Sequence, residues 1–390
     1  MKYVTLEEVC ENRTSNISQK DLKGNEGIYP IYGASGLIKK VDFYIQDKEY
    51  IGIVKDGAGV GRTMLLPSKS SVIGTMQYII PNGILNIKYL YYALISKKLS
   101  KYSSGATIPH IYFRDYKKEK IVLISEIEQQ KIVSILDKIV SLIEKNKKRI
   151  ILLEELVKSR FIEMFGDESK FKKKKLNENV KEMFIGPFGS SLKNECFVSK
   201  EEGFCIVYEQ KHAIRKTIDT LNRYVDKKKY EELKRFTVYP GDIIVSCRGT
   251  VGEIYRIPYN AKFGIMHPSI MKIRLNNEVY NVIFFEKMLE KHMKKILYMS
   301  QGSGIKMAIT AKELGKKDFI VPPLSFQNEF AEFVTKTNKL KFRLFSSIIL
   351  GKNLFKNLTL LIFLDNIRLV LELDKKNKNK KLNMGVKKDV

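Results

Sequence analysis

IEQQKIVSILDKIVSLIEKNKKRIILLEELVKSRFIEMF, residues 127–165, holds neither glycine nor proline, and its reading decides how the chain is organised. Apolar residues fall at Ile127, Ile132, Ile135, Ile139, Leu142, Ile150, Leu153, Leu156, Phe161 and Met164, mostly three or four apart, with Lys, Glu and Arg between them. That spacing draws one stripe along an amphipathic helix. Gly166 follows as a stop, and Lys158 and Arg160 suit the negative end of the helix dipole. At 1.5 Å per residue the helix is about 58 Å long, more than a compact domain is wide. The sequence therefore predicts a rod between two bodies. Its stripe, centred on Ile132, Ile135, Ile139, Leu142, Ile150, Leu153 and Leu156, needs a partner surface to leave water.

Reading the chain against itself supplies one. SSGATIPHI (103–111) resembles SQGSGIKMA (300–308), and setting Gly105 on Gly302 is a shift of 197 residues. The same shift places Ile108 on Ile305, Ile127 on Leu324, Gln130 on Gln327 and Val133 on Phe330. Upstream, IVKDGAGVG (53–61) parallels IVSCRGTVG (244–252) at a shift of 191, and GTM at Gly74 parallels GIM at Gly264 at 190. Blocks recurring in one order describe a two-fold repeat, each copy a globular unit followed by a helix start. The predicted division is a first unit over 1–125, a central helix over 126–166, a second unit over 167–323 and a distal helix over 324–373. A Lys/Asn-rich tail over 374–390 reads as disordered.

The 390 residues carry 70 Lys+Arg against 43 Asp+Glu, a net charge of +27, which points to a polyanionic partner even after discounting a compositional bias toward Lys, Asn and Ile. The four cysteines are scattered without a CxxC, which suggests neither a disulfide framework nor a zinc module. No signal peptide is visible at the start, and the most hydrophobic segment, 354–373, carries Lys356, Asp365, Arg368 and Glu372. The expectation is a cytoplasmic protein that faces nucleic acid and no membrane.

Residues 28–66 alternate short β-rich runs with glycine turns, and 87–100 and 279–297 are helical candidates at matching places. The run Lys172–Lys175 reads as a solvated linker between units, with phosphate contact as the alternative. VPPLS (321–325) opens the second long helix, but beyond Phe342 the sequence is apolar nearly all round and contains Gly351. At the 197-residue shift, nothing there matches EMFG (163–166).

For chemistry, KDGAGVGRT (55–63) is the tempting motif, since GxGxG lines phosphate or methyl-donor sites. A dinucleotide fingerprint needs a helix next, and MLLPSKSS follows instead, so a tight β-turn is the better reading. There is no GxxxxGK[ST] and no Asn-Pro-Pro-aromatic tetrapeptide. None of the four histidines sits in a metal-spaced pair, and His110 reads as a loop hydrogen-bonder. This excludes an obvious catalytic engine, leaving loops where cations and hydroxyls stand beside glycine. Candidate DNA-binding residues are Lys55, Arg62, Thr107, Ser190, Ser191, Lys193, Arg248, Thr250, Ser303 and Lys306, types that contact phosphates and base edges.

At this point the chain resembles the specificity subunits of type I restriction–modification systems. The resemblance is carried by SSGATIPHI, IEQQKIVSILDKI (127–139), LVKSRFIEMFGD (156–167), GPFGSSLK (186–193) and VPPLSFQNEFAEFV (321–334), and covers residues 1 to about 340. It implies a mixed α/β (α+β) fold: two target-recognition domains, each reading half of a split DNA sequence, separated by long helices that form an antiparallel coiled coil and act as a ruler. It implies double-stranded DNA, two methylation (M) subunits docked on the helices, and restriction (R) subunits as partners. S-adenosylmethionine, ATP and Mg then belong to those partners, with no cofactor on this chain. Beyond Phe342 the expected charged helix is missing. A shifted or recombined gene end, giving a truncated, inactive subunit, and a divergent helix covered by partners both fit. Two rivals stay open: a self-contained methyltransferase using Gly57, Gly59 and Gly61, and a coiled-coil scaffold without sequence preference.

Overall fold

The computed structural model describes residues 2–300 and 309–365. The chain divides into two compact units, one of residues 1–150 with 343–390 and one of residues 151–342. The central helix spans Glu126–Phe165 and the distal helix Leu324–Leu360. Each long helix therefore contributes one segment to each unit, changing over at Ile150–Ile151 and at Phe342–Arg343.

In the first unit an antiparallel sheet orders its strands Cys10–Thr14, Met76–Pro81, Tyr50–Val54, Thr63–Leu66. The strand YIGIV (50–54) is buried throughout, which is why it reads as an unbroken apolar run. A three-stranded sheet (36–41, 29–33, 71–72) and a ribbon of Lys2–Thr5 on Lys120–Leu123 complete the β structure. Helix Ile87–Lys97 packs its buried Tyr89, Leu90 and Ala93 into the core, capped by the Asn86 side chain.

The second unit repeats this plan: an antiparallel sheet of Val180–Ile185, Ile270–Leu275, Ile243–Ser246 and Ile254–Arg256, then helix Val282–Ser300. Its second sheet is larger, with strands 223–225, 205–208, 264–266 and 237–238. Lys172–Lys175 is no linker. It is a strand paired with Asp318–Val321, the counterpart of Lys2–Thr5 on Lys120–Leu123. A ladder needs only backbone groups, and four solvent-facing lysines suit a strand with no other neighbour.

The repeat in the long helices runs one residue differently from the sequence reading. Asn86 donates its backbone N–H to Gln129 Oε1 (2.7 Å), and Asn281 donates its own to Gln327 Oε1 (2.9 Å). Both glutamines also donate Nε2 to the carbonyl of the equivalent residue before the helix, Ile124 (3.0 Å) and Pro322 (2.8 Å). Gln129, not Gln130, is thus the partner of Gln327, a shift of 198 residues. At that shift Ile132 falls on Phe330, both completely buried, and Leu136 on Val334. Adjacent glutamines made the two registers indistinguishable in sequence; burial decides between them.

That register also recovers the distal helix. Met164 and Phe165 fall on Ile362 and Phe363, all four buried. Phe165 meets Phe284 at 4.6 Å between ring centroids, and Phe363 meets Tyr89 at 5.2 Å. The segment beyond Phe342 is thus tied through Phe363 into the core of the first unit, while Phe345, Ile349, Leu350 and Leu354 stay exposed along it. Gly351 has a reason too: a Cβ there would lie 3.0 Å from Ile143 Cγ1. Residues 366–390, including the tail, lie outside the described residues.

Within each unit the helix segments pair antiparallel. In the first, Ile143 faces Gly351, and buried Asn146 donates Nδ2 to Ser347 Oγ at 3.1 Å, a polar contact of the kind that fixes register. In the second, Lys341 bonds Glu154 (2.9 Å) and Arg160 bonds Glu329 (2.7 Å), beside Phe161 against Phe330. The central helix ends at Phe165, and glycine follows where a Cβ at 166 would meet the Ile162 carbonyl oxygen at 2.4 Å.

Candidate nucleic-acid interface

Strand register decides which loops share an edge. In the first unit Thr14 faces Gln77, Val54 faces Met76, and Ile53 faces Thr63. The segments after Thr14, between Val54 and Thr63, and before Met76 therefore leave the sheet together. Lys55 and Arg62 bracket the middle one. Gly61 donates to the Val54 carbonyl (2.8 Å), and Val54 donates to that of Arg62 (2.9 Å), which closes a hairpin turn. Gly57 and Gly61 have φ of 93° and 80°, and a Cβ on Gly61 would fall 2.4 Å from the Ser100 nitrogen. The glycine run is a β-turn leading into a strand, with no helix behind it.

The SSGATIPHI loop docks on this turn. Gly57 donates to the Pro109 carbonyl (2.8 Å) and Ile111 to that of Lys55 (2.9 Å). His110 lies 3.1 Å from Ser104 Oγ and 3.3 Å from the Ile108 carbonyl, a loop hydrogen-bonder as its context suggested. Thr107 is exposed at the tip. Arg62 Nη1 donates to the Ala34 carbonyl (2.7 Å), and Lys55 Nζ lies 3.8 Å from the Asp56 carboxylate. The structure thus brings Lys55, Arg62 and Thr107 to one sheet edge.

The second unit presents the same edge. Ile185 faces Met271, Ser246 faces Ile270, and Val245 faces Ile254. Loops 186–193, 247–253 and 267–269 emerge together, carrying Ser190, Ser191 and Lys193, then Arg248 and Thr250. Backbone bonds tie them: Gly186 donates to the Ile270 carbonyl (3.0 Å) and Cys247 to that of Ser269 (2.9 Å). A Cβ on Gly186 would lie 2.3 Å from the His267 oxygen, so only glycine lets this loop start there. Lys193 lies 3.8 Å from Glu195; Arg248 and Thr250 are exposed. Ser303 and Lys306 lie outside the described residues.

The second sheet adds residues that sequence reasoning missed. Tyr208 pairs with Met266 at the ends of two parallel strands, which sets Glu209, Gln210 and Lys211 beside His267. The Gln210 amide is the nearest group to Gly249 in the Arg248 loop, 3.9 Å from a Cβ placed there. Lys211 pairs with Glu209, and Arg223 lies 3.7 Å from the same carboxylate. Burial pushes the His267 ring below its ordinary pKa; Glu209 opposes this, while Arg223, Arg248 and Lys211 reinforce it. The ring is therefore neutral near pH 7, with Nδ1 accepting from the Ser269 hydroxyl (2.8 Å) and N–H (3.2 Å). The sequence blocks recurring between the units stop short of these residues: GIM (264–266) ends just before His267, and none covers 209–211 or 223.

Burial pushes the Cys247 thiol up to about 12, far from a thiolate at neutral pH. No group of His, Cys, Asp and Glu among the described residues is arranged to hold a metal ion. No helix among the described residues is long and apolar enough to cross a membrane.

Of the helix positions, Ile132 is completely buried in the first unit's core, and Ile135, Ile139, Ile150 and Leu153 are half-buried. Leu142 and Leu156 are exposed, as are Ile151, Leu152, Ile162, Phe345 and Leu350, which the stripe did not single out. The helices thus carry apolar side chains outside their own pairing.

Comparison with known proteins agrees with this architecture. The family model of the type I restriction modification DNA specificity domain matches twice, over residues 1–155 and 171–349. The specificity subunit of the type I restriction enzyme MjaIX from Methanocaldococcus jannaschii is 25% identical over 344 residues, 82% of this chain and 78% of that protein. The crystal structure of a type I restriction–modification S subunit from M. genitalium superposes with a TM-score of 0.56 at 20% identity, covering 91% of this chain and 95% of that one. A chain from a structure concerned with complex assembly and conformational transition of the type I R-M system gives 0.57 at 15% identity, covering 92% and 96%. At those identities the two structures speak for the fold.

Proposed function

The chain belongs to the type I restriction–modification DNA specificity family, and from that premise we propose that each unit reads one half of a split DNA target through its loop edge. The observation that carries this reading is the repeated edge. Two sheets of one topology set Lys55, Arg62 and Thr107 in one unit, and Ser190, Ser191, Lys193, Arg248 and Thr250 in the other, where their strands end. Lys and Arg supply phosphate contacts, while Arg, Ser and Thr also reach base edges. The net charge of +27 favours the same ligand.

In this reading the long helices are the scaffold and the ruler. Their exposed apolar side chains, Leu142 and Leu156 among them, are the docking positions for two methylation subunits, with restriction subunits joining the assembly. The chain itself does no chemistry: S-adenosylmethionine, ATP and Mg work in the partner subunits. The test is methylome sequencing of a host supplying the modification subunit, with and without this gene. A split adenine-methylation motif that appears only with the gene supports the proposal. Identical methylomes, with the assembled complex present, contradict it.

A further inference from the structure

Phe188 is the most exposed aromatic side chain among the described residues, at 87%. Leaving such a ring in water forgoes the burial that drives folding, and the surrounding loop is built to hold it out. Pro187 before it is buried, fixing the stem, and Gly189 after it has nothing within 4 Å of a Cβ position. Ser191 donates its N–H to the Phe188 carbonyl (2.9 Å), closing a tight turn behind the ring. Gly186 is pinned against His267 at the base. No ring and no cation among the described residues covers Phe188. It also stands on the sheet edge that carries Lys193, Arg248 and Thr250, in a loop whose other apolar side chains, Pro187 and Leu192, are buried.

We propose that Phe188 is a base-contacting residue of the second unit, its ring packing against the apolar face of bases in that unit's half-site and loosening a base step there. The inference rests on the reading of this edge as the DNA interface. Its neighbours carry phosphate and hydrogen-bonding chemistry, so an apolar ring among them meets the one apolar surface a duplex offers, its bases. Apolar wedges that part base steps, and aromatic rings that stack on bases, are established ways for protein to use that surface. A ring contributes no charge, and this separates it experimentally from its neighbours.

The test uses the complex of the full chain with its modification subunits, and duplexes carrying the target identified by methylome sequencing. Phe188→Ala should weaken specific binding roughly 10- to 100-fold without changing the slope of log affinity against log salt; Lys193→Ala should lower that slope by about one. Phe188→Leu should recover part of the loss. 2-Aminopurine placed in the second half-site, away from the methylated adenine, should brighten with the parent complex and stay quenched with Phe188→Ala. Unchanged affinity and unchanged fluorescence in a variant that still binds DNA selectively would overturn the inference while leaving the DNA-reading function intact. A variant that loses modification subunits without DNA present would overturn it too, making Phe188 a subunit contact. If the parent complex shows no selective binding, the functional reading itself fails.

Discussion

Inserting four residues after Ile150 and four after Phe342 should lengthen the unread spacer of the DNA target while leaving both half-sites alone. These are the points where the two long helices change over between the compact units. The contacts that set helix pairing inside each unit survive: Asn146 to Ser347 in the first, Lys341 to Glu154 and Arg160 to Glu329 in the second. Four helical residues add about 6 Å and turn the face about 40° past a full turn. With DNA rising about 3.4 Å per base pair, the spacer should grow by one or two base pairs. Paired two-residue insertions make the contrast. They rotate the following segment by about 200° and turn the apolar stripe away from its partner, so modification should collapse. Methylome sequencing of both variants is the assay. An active four-residue variant with its original spacer would refute the idea that these helices measure DNA.

Further tests address the site and the frame. Gln327→Leu leaves the Asn281 N–H and the Val279 and Pro322 carbonyls without their buried partner, and should cost about 2–4 kcal/mol, read from the denaturation midpoint; a loss under half of that would mean the region relaxes around the change. Arg248→Ala should relax selectivity at one or two bases of the second half-site if the guanidinium reads a base edge; a uniform loss across all sequences, with a shallower salt slope, would place it on phosphate instead. Glu119 is subject to burial that raises its pKa, but bonds from Lys101 and Tyr102 and the charge of Lys97 outweigh it and hold the carboxyl below the usual range. Its stabilisation is therefore present above that range and lost as pH falls through the depressed value. Glu119→Gln should melt earlier than the parent at neutral pH, and the deficit should shrink as the pH falls through the depressed value; a deficit that stays constant down an acid titration would exclude an ionic origin.

The repeat and the central helix were legible because both are periodic: a stripe at helical spacing and blocks recurring in order survive substitution of everything between them. The register of the repeat was not, because Gln129 and Gln130 look alike until hydrogen bonds distinguish them. That one-residue error also hid the match of Ile362 and Phe363 to Met164 and Phe165, although the apolar run beyond Phe342 and Gly351 do not depend on register. The four lysines of 172–175 misled in another way, since charge says where side chains point and nothing about whether the backbone pairs. At the candidate site, glycines needed for positive φ or close approach are the visible sign in sequence of loops that share a sheet edge. Gln210, Lys211, Arg223 and His267 join them only through a sheet whose strands lie tens of residues apart in sequence.

The central claim, one reader per unit, is tested most directly by replacing residues 2–125 with the corresponding segment of another family member and sequencing the methylome. The account predicts that one half of the split target changes to the donor's, while the other half and the spacer length stay as they were. Both halves changing together would contradict it.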